Sequence, residues 1–317
     1  MELCLGTVQF GMDYGIKGQK KPGLQEAVRN LDFATQNGVC AIDTAQAYGT
    51  AEKVTGEFLK RRTISRDKLF ISTKLLPNIL DNVSPKQYKE VIRKYLEGSL
   101  SVLNLKYVDA YMLHSARYAY DPEILDALAA VGKEGLTRKV GVSVYDPDEA
   151  DACFHHGEIG YIQIPYSIFD HRMKEQGIFL KAHESGVSIG TRSAFIQGLI
   201  TMEESEVPPF LENAKPILQR LDRLVRETGY SRVELAMGYV KKEKEISHLV
   251  FGIDSMEQLK EDIHAFQNEI PNDVFRRMEK EFHGLAADVV MPSLWKKGRE
   301  DEVSGDGTGA VRFHQTA

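Results

Sequence analysis

The sequence predicts an α/β protein that folds as a single (β/α)8 TIM barrel with a polar C-terminal tail. Eight short apolar runs recur along the chain, and segments with helical spacing separate them. Strands that alternate with helices form parallel sheets, and eight such units close most economically as a barrel. The rival fold is an open, doubly wound sheet, but no Gly-x-Gly-x-x-Gly motif follows the first run.

The predicted strands are short apolar runs, several of them rich in β-branched or aromatic residues. They span residues 4–6, 39–43, 70–74, 108–113, 140–143, 161–164, 187–191 and 249–251.

The segments between these strands have the periodicity of amphipathic helices. Leu24, Ala27, Val28, Leu31 and Ala34 recur at intervals of three or four and predict one buried helix face. A capping residue followed by proline marks further helix starts at Ser84-Pro85, Asp121-Pro122 and Asp146-Pro147. Two predicted capping boxes pair Ser231 with Glu234 and Ser255 with Gln258.

Residues 1–290 are predicted to form the barrel, and residues 291–317 to form a polar tail without apolar periodicity. Two interpretations of the tail stay open. It is either disordered, or a flap over the mouth of the barrel that carries Arg312, Phe313 and His314.

Composition excludes several classes of function. The chain has 317 residues, 27% of them charged, and a net charge of −6, which argues against a nucleic-acid partner. No apolar run approaches the roughly 20 residues of a membrane helix, and the N-terminus does not resemble a signal peptide. Cys4, Cys40 and Cys153 are too scattered for a disulfide framework or a metal site. We therefore expect a cytoplasmic protein without a metal, and a monomer, because no helix surface shows a long exposed apolar stripe.

Four chemically capable side chains lie where three consecutive predicted strands end. Asp43 ends the second strand and Tyr48 follows in its loop, whereas Lys74 ends the third strand and His114 the fourth. Barrel enzymes form their active sites at this end of the strands. Each residue taken singly is more often structural, but their joint placement at one rim favours a shared site.

These residue types together suit proton donation to a carbonyl group. A free tyrosine has a pKa of about 10, and a nearby cation such as Lys74 lowers the pKa of a phenol. Asp43 can hold Lys74 protonated, and His114 can donate a hydrogen bond to the carbonyl oxygen of a substrate. Tyr48 is thus the predicted general acid, and a nicotinamide cofactor must supply the hydride.

The residues that carry this chemistry resemble the aldo-keto reductases from Leu5 to about Ile263. The resemblance implies reduction of an aldehyde or ketone, including a sugar or keto-sugar, with NADP(H) or alternatively NAD(H) and with Tyr48 as general acid. Its bacterial branch often acts on sugars or has poorly assigned substrates. The motifs that carry the resemblance are Leu5-Gly6-Thr7, the block from Ile42 to Gly49, Thr73-Lys74, Leu113-His114, Gly141-Val142-Ser143, Gln163-x-Pro165-Tyr166 and Gln197-Gly198-Leu199.

The resemblance also implies a set of cofactor-binding residues. Ser143 and Gln163 match positions that bind the nicotinamide amide, and residues 193–199 match a pyrophosphate-binding loop. Val144 stands where the family usually has asparagine. Arg192 stands where many members stack an aromatic ring, and it can stack likewise or bind an anionic substrate. The full predicted set is Gly6, Thr7, Asp43, Ser143, Gln163, Arg192, Ser193, Phe195, Gln197, Gly198, Leu199, Gly252, Asp254, Ser255, Gln258 and Asp262.

The adenosine end departs most from the family. Asp254 and Gln258 stand where related sequences often have arginine, and Asp262 replaces the usual asparagine near adenine. A carboxylate repels a 2′-phosphate but accepts hydrogen bonds from a 2′-hydroxyl. These residues predict a weakened preference for NADP(H), although Lys260 could still reach a 2′-phosphate.

The predicted partner is a small carbonyl or alcohol substrate, whose contacts are assigned to Phe10, Tyr14, Arg117, Tyr118 and Tyr145. Two other functions stay open. One is a sugar epimerase or dehydratase that recycles its nicotinamide. The other is a cofactor-binding regulatory protein without useful turnover.

Overall fold

Eight parallel strands close into a barrel in a computed structural model that describes residues 1–295. The predicted (β/α)8 fold and its eight strands are confirmed. The strands are β1 (Glu2–Gly6), β2 (Ala41–Asp43), β3 (Phe70–Lys74), β4 (Val108–Leu113), β5 (Thr137–Ser143), β6 (Tyr161–Pro165), β7 (Ser188–Arg192) and β8 (Ile246–Phe251).

Three strands begin earlier than predicted, and β1 begins at Glu2, two residues before the predicted run. β5 begins at Thr137, three residues before the predicted run, because the exposed Arg138 and Lys139 hide its start from an apolar pattern. β8 likewise begins at Ile246, ahead of the polar His248.

Strand register places functional side chains at one level of the barrel mouth. Asp43 lies opposite Gly6 on β1 and opposite Ser72 on β3. Ser143 lies opposite Gln163 where β5 and β6 pair.

Helices surround the barrel and bury their apolar faces against it. Ala27, Val28, Leu31 and Ala34 are buried as predicted, whereas Leu24, at the first turn of its helix, is 44% exposed. The helices are α1 (Val8–Gly11), α2 (Leu24–Gln36), α3 (Ala51–Arg61), α4 (Tyr88–Leu103), α5 (Pro122–Gly132), α6 (Pro147–Phe154), α7 (Arg172–Glu175), α8 (Ile178–Glu184), α9 (Lys215–Thr228), α10 (Arg232–Lys241), α11 (Met256–Gln267), α12 (Asn272–Phe282) and α13 (Ala287–Val290).

Capping side chains begin several of these helices as the sequence predicts. The Asp121 carboxylate accepts hydrogen bonds from two backbone amides of α5, and Ser231 and Glu234 form the predicted box at α10. The predicted box at α11 is only half formed. Ser255 Oγ accepts from the Gln258 amide, whereas Gln258 Oε1 accepts from the amide of Asp254.

Three aromatic rings from non-adjacent strands meet inside the barrel, near the N-terminal ends of the strands. The centroids of Phe70 and His248 are 4.1 Å apart, and those of Phe70 and Tyr161 are 5.6 Å apart. These rings fill the interior at that end, so a ligand can enter only at the opposite mouth.

The chain continues to pack against the barrel beyond α13. Trp295 is buried, its Nε1 donates to the Val289 carbonyl oxygen, and its ring lies 6.5 Å from that of Phe210. The first five residues of the predicted tail therefore lie on the barrel. Residues 296–317, including the proposed flap residues Arg312, Phe313 and His314, are outside the described part of the chain.

Across residues 1–295, the helices are all too short or too polar to cross a bilayer.

Two helical glycines should respond oppositely to alanine. A Cβ at Gly56 of α3 would lie 2.2 Å from the Val102 carbonyl oxygen of α4, whereas a Cβ at the exposed Gly98 would meet nothing within 4 Å. We expect Gly56→Ala to lower the free energy of unfolding by about 1–3 kcal/mol through overpacking. Gly98→Ala should raise it by about 0.5–1 kcal/mol through helix propensity. Denaturant unfolding measures both, and a stabilising Gly56→Ala would refute the close packing of α3 on α4.

Candidate active site

A cavity of about 460 Å³ opens at the C-terminal mouth of the barrel, and Asp43 and Tyr48 both line it. Strand ends and loops of β1, β2, β6, β7 and β8 form its walls. It therefore lies where active sites of such barrels form.

A buried ion pair lies beneath the cavity. Lys74 Nζ is 2.6 Å from Asp43 Oδ2, and both side chains are almost completely excluded from solvent. Asp43 Oδ1 also accepts hydrogen bonds from Ser72 Oγ at 2.7 Å and from Gln163 Nε2 at 2.9 Å. Because a buried charge is stable only when it is paired and hydrogen-bonded, these contacts fix the Asp43 carboxylate.

Lys74 connects this pair to the tyrosine. Its ammonium donates to the Thr44 carbonyl oxygen at 3.1 Å and lies 3.5 Å from the Tyr48 hydroxyl. The ammonium is therefore placed to stabilise negative charge on the phenol oxygen.

Tyr48 is protonated in this arrangement. We expected Lys74 to lower the tyrosine pKa, but burial of the phenol and, secondarily, the Asp43 carboxylate raise the pKa of Tyr48 well above its usual range. Burial of the phenol outweighs the opposing charge of Arg192, which lowers the pKa. The phenol thus keeps its proton at neutral pH until an acceptor oxygen arrives.

His114 packs its ring edge-on against Tyr48, with centroids 5.6 Å apart and planes at 84°. Burial, aided by the charges of Lys74 and Arg192, lowers the pKa of His114 to about 3. Its buried Nδ1 has no hydrogen-bond partner among residues 1–295. A neutral imidazole here can donate one hydrogen bond to a carbonyl oxygen without adding a charge.

The loop that carries Tyr48 is held by backbone contact with α1. A Cβ at Gly11 would lie 1.7 Å from the Tyr48 carbonyl oxygen, and a Cβ at Gly49 would lie 2.5 Å from the Gly11 carbonyl oxygen. Gly49 also has φ +55°, in the left-handed region that favours glycine. The Thr50 amide donates to the Gly11 carbonyl oxygen at 3.1 Å and closes this contact.

Twelve of the sixteen predicted cofactor-binding residues line the cavity, as do Tyr14 and Tyr48. The twelve are Gly6, Asp43, Gln163, Arg192, Ser193, Phe195, Gln197, Gly198, Gly252, Asp254, Gln258 and Asp262.

The other four predicted cofactor residues do not line the cavity. Thr7 is buried and its hydroxyl donates to the Asp43 carbonyl oxygen at 3.0 Å, and Ser255 caps α11. Ser143 and Leu199 are buried beside the cavity walls. Direct contacts of these four with a cofactor stay predictions.

The loop after β7 has the backbone of an anion-binding site. Ser193, Ile196, Gln197 and Gly198 all have positive φ. The amide of Ala194 is buried and, like that of Phe195, meets no protein acceptor in the described range. Unpaired amides in such a turn suit phosphate oxygens.

The far end of the cavity is acidic. Asp262 is only 5% exposed, and burial, with a smaller effect of Glu261, raises its pKa to about 8. The Asp254 carboxyl has a raised pKa because of burial, and its backbone amide holds the Gln258 side chain. Lys260 places its ammonium 5.7 Å from the Phe33 ring centre and does not line the cavity.

Of the predicted substrate contacts, the structure brings only Tyr14 into the cavity wall. Phe10 is 1% exposed within the hydrophobic core. Arg117 and the hydroxyl of Tyr118 both bond the Asp81 carboxylate, and Tyr145 lies beneath the Arg192 guanidinium. Roles in substrate binding for these residues stay predictions.

Sequence reasoning missed the contribution of the α10 N-terminus. Arg232 lines the cavity while bonding the Asp222 carboxylate at 2.5 Å and the Met202 carbonyl oxygen. The capping box at Ser231 predicted where the helix begins, but it did not predict that this end of the helix lines the cavity. The lining residues that were missed are Val8, Gln9, Gly15, Thr201, Ser231, Arg232, Val233, Val250, Phe251 and Glu261.

One group of metal-ligand side chains occurs within residues 1–295, and it does not line the cavity. Ligand atoms of His171, Glu175 and His283 lie within 4.8 Å of one another. Glu175 already contacts His283 Nδ1 at 2.9 Å, so the group is explained by an exposed side-chain contact beside the buried His171.

Comparison with known proteins identifies the same fold and one family. The sequence model of the Aldo/keto reductase family matches residues 2–281. The chain is 24% identical to the uncharacterized oxidoreductase YrpG of Bacillus subtilis, over 92% of this chain and 95% of that protein. It is 27% identical to the NADH-specific methylglyoxal reductase of Escherichia coli, over 72% of this chain and 78% of that protein.

Among solved structures, the aldo-keto reductase AKR11C1 from Bacillus halodurans, in its holo form, superimposes with a TM-score of 0.71. The two chains are 24% identical, and the match covers 88% of this chain and 91% of that one. The likeness establishes the barrel fold.

We expect the His114 imidazole to stay neutral as the pH falls from about 7 to about 5, because burial lowers its pKa below the usual value of about 6.5. His114 binds a proton more readily in the unfolded chain than in the folded protein. The free energy of unfolding therefore decreases as the pH falls from about 6.5 toward the folded pKa of His114. Histidine Cε1–H chemical shifts, assigned with His114→Gln, measure the titration. A His114 signal that titrates near pH 6.5 would contradict the burial described here.

Proposed function

Because the chain belongs to the aldo/keto reductase family of oxidoreductases, we propose that it reduces an aldehyde or ketone to an alcohol with NAD(P)H and with Tyr48 as general acid. The observation that carries this proposal is the placement of Tyr48 at the cavity, 3.5 Å from an ammonium that Asp43 holds.

Bound nicotinamide would supply a hydride to the carbonyl carbon of the substrate. The Tyr48 hydroxyl donates its proton to the carbonyl oxygen as negative charge develops there. Lys74 then stabilises the phenolate that remains, and Asp43 keeps the ammonium oriented. Neutral His114 directs the carbonyl oxygen toward the phenol, and solvent returns a proton to Tyr48 after the alcohol leaves.

The residues at the cavity suit such a dinucleotide. Gln163 Nε2 is engaged by Asp43, which leaves its carbonyl oxygen to accept from a carboxamide. The unpaired amides of Ala194 and Phe195 suit the pyrophosphate. Arg232 also lines this cavity, with its charge paired to the Asp222 carboxylate.

We propose that the preference for NADP(H) is weak and that NAD(H) also serves as coenzyme. Asp254 presents a carboxyl group at the acidic end of the cavity, and Lys260 contacts Phe33 instead of that end. A relative that is named as NADH-specific supports this choice of coenzyme.

The proposal extends to a monomer in the cytoplasm. The large exposed apolar side chains, among them Leu24, Leu180 and Leu294, come from separate elements. Cys4, Cys40 and Cys153 are unpaired, as suits a reducing compartment.

Tyr48→Phe should lower kcat by roughly a hundredfold or more, because it removes the general acid. The dissociation constant of the coenzyme should change little. NAD(P)H oxidation against a panel of aldehydes and keto-sugars measures the rates. The matched control is Tyr107→Phe, which removes a hydroxyl bonded to Arg138 at the opposite end of the barrel. Retention of wild-type kcat in Tyr48→Phe would refute the role of the tyrosine.

Coenzyme choice tests the acidic end of the cavity. We expect the wild-type dissociation constants for NADPH and NADH to lie within about tenfold of each other. Asp254→Arg should tighten NADPH binding at least tenfold, because a guanidinium pairs with the 2′-phosphate. The same substitution should have little effect on NADH binding. Glu257→Arg makes the same charge change on an exposed residue outside the cavity and is the control. A wild-type preference for NADPH of about a hundredfold, or about 2.7 kcal/mol, would sink the proposal.

A further inference from the structure

Arg192, the last residue of β7, is a partly buried cation. It lines the cavity, yet its guanidinium forms no ion pair with any carboxylate among residues 1–295. Arg232, the other arginine on the cavity wall, pairs with Asp222 at 2.5 Å. The carboxylate of Asp43 is neutralised by Lys74. A charge withdrawn from water without a partner is unfavourable, so an anion from outside the chain is the natural partner of Arg192.

The protein fixes the orientation of the guanidinium and leaves some of its N–H donors unused. Its carbon lies 4.3 Å from the centre of the Tyr145 ring, which supports the guanidinium plane by a cation–π contact. One terminal nitrogen donates to the Val144 carbonyl oxygen at 3.0 Å, and the other contacts Ser193 Oγ at 3.3 Å. A guanidinium has five N–H donors, so donors remain for a carboxylate or phosphate.

Arg192 lines the same cavity as Tyr48 and Tyr14. Burial raises the pKa of both phenols, and the charge of Arg192 partly offsets that rise. At His114, burial and, secondarily, the charges of Lys74 and Arg192 lower the pKa. Arg117, the other basic residue predicted at the mouth, is paired with Asp81 and does not line the cavity. Since the whole chain carries a net charge of −6, an anionic substrate needs a local cation of this kind.

We propose that Arg192 binds an anionic group of the substrate, so that the preferred substrates are aldehydes or ketones that carry a carboxylate or a phosphate. This inference rests on the proposed function and names its substrate class. The other anion that could reach this cavity is the pyrophosphate of the coenzyme, and the experiment separates the two.

The turnover test compares 4-carboxybenzaldehyde with its neutral analogue, methyl 4-formylbenzoate. We expect wild-type kcat/KM to favour the carboxylate at least tenfold. Arg192→Gln should abolish that preference, mainly through a higher KM for the carboxylate. The quantity compared is the ratio of the two kcat/KM values, because an effect on coenzyme binding lowers both values alike. Arg192→Lys keeps the charge without the planar fork and should retain part of the preference. Arg93→Gln removes an exposed arginine of α4 and is the control.

A binding test needs no turnover. Calorimetry compares benzoate with benzamide on wild type and on Arg192→Gln, with NADH and NADPH titrated into the same samples. We expect benzoate to bind at least tenfold more tightly than benzamide only when Arg192 is present, and the coenzyme titrations report separately any contribution of Arg192 to coenzyme binding.

The outcomes separate this inference from the proposed function. Turnover of both aldehydes without a carboxylate preference overturns the inference and leaves the reductase intact. Loss of coenzyme affinity in Arg192→Gln, with anion preference unchanged, also overturns it and assigns Arg192 to coenzyme binding. If neither aldehyde is reduced, the proposed reaction fails for these substrates. Arg192-dependent benzoate binding would still support the anion site, and its absence would overturn it.

Discussion

The buried pair of Asp43 and Lys74 is the interaction on which the mouth of the barrel depends. Removing two charges from water carries a large desolvation penalty, and only full hydrogen bonding offsets it. Here Ser72 and Gln163 satisfy the second carboxylate oxygen, while Lys74 also reaches Thr44 and Tyr48. The pair therefore joins the ends of β2, β3 and β6 into one network. The phenol has a defined position because its nearest charged neighbour cannot move without breaking that network.

The sequence was sufficient to predict features that depend on local residue patterns and on the regular alternation of strands and helices. Apolar runs located all eight strands, and the position of Lys74 at a strand end was enough to place it beside Asp43. The pKa of a side chain and its long-range partners depend on the folded surroundings and could not be predicted from the sequence. The pKa of Tyr48 follows from burial that no spacing reports, and the pairing of Arg117 with Asp81 joins residues 36 positions apart. Arg232 reaches the cavity only because α10 packs on the loop after β7.

The cavity is electrostatically divided along its length. Arg192 and Tyr48 line it at the loops after β7 and β2, whereas Asp254 and Glu261 line it in the segment after β8. An anionic group entering the cavity is attracted by the guanidinium and repelled by these carboxylates. The division therefore orients a ligand before any specific hydrogen bond forms. It also means that the same carboxyl groups that disfavour a 2′-phosphate keep a small anionic substrate from lodging at the wrong end.

The contact between Gly11 and Gly49 has a consequence for how this protein can diversify. Because the two backbones touch, with a hydrogen bond from Thr50 closing the contact, the first and second βα loops behave as one piece. An insertion in either would displace the phenol. The segment after β7 meets the first loop less tightly, through a 3.3 Å hydrogen bond from the Ile16 amide to the Gln197 carbonyl oxygen and through the exposed ion pair of Lys17 with Glu206. In related proteins we expect the loop after β7 to vary in length while the first two βα loops keep theirs. Such variation can change the substrate without moving the Tyr48 hydroxyl.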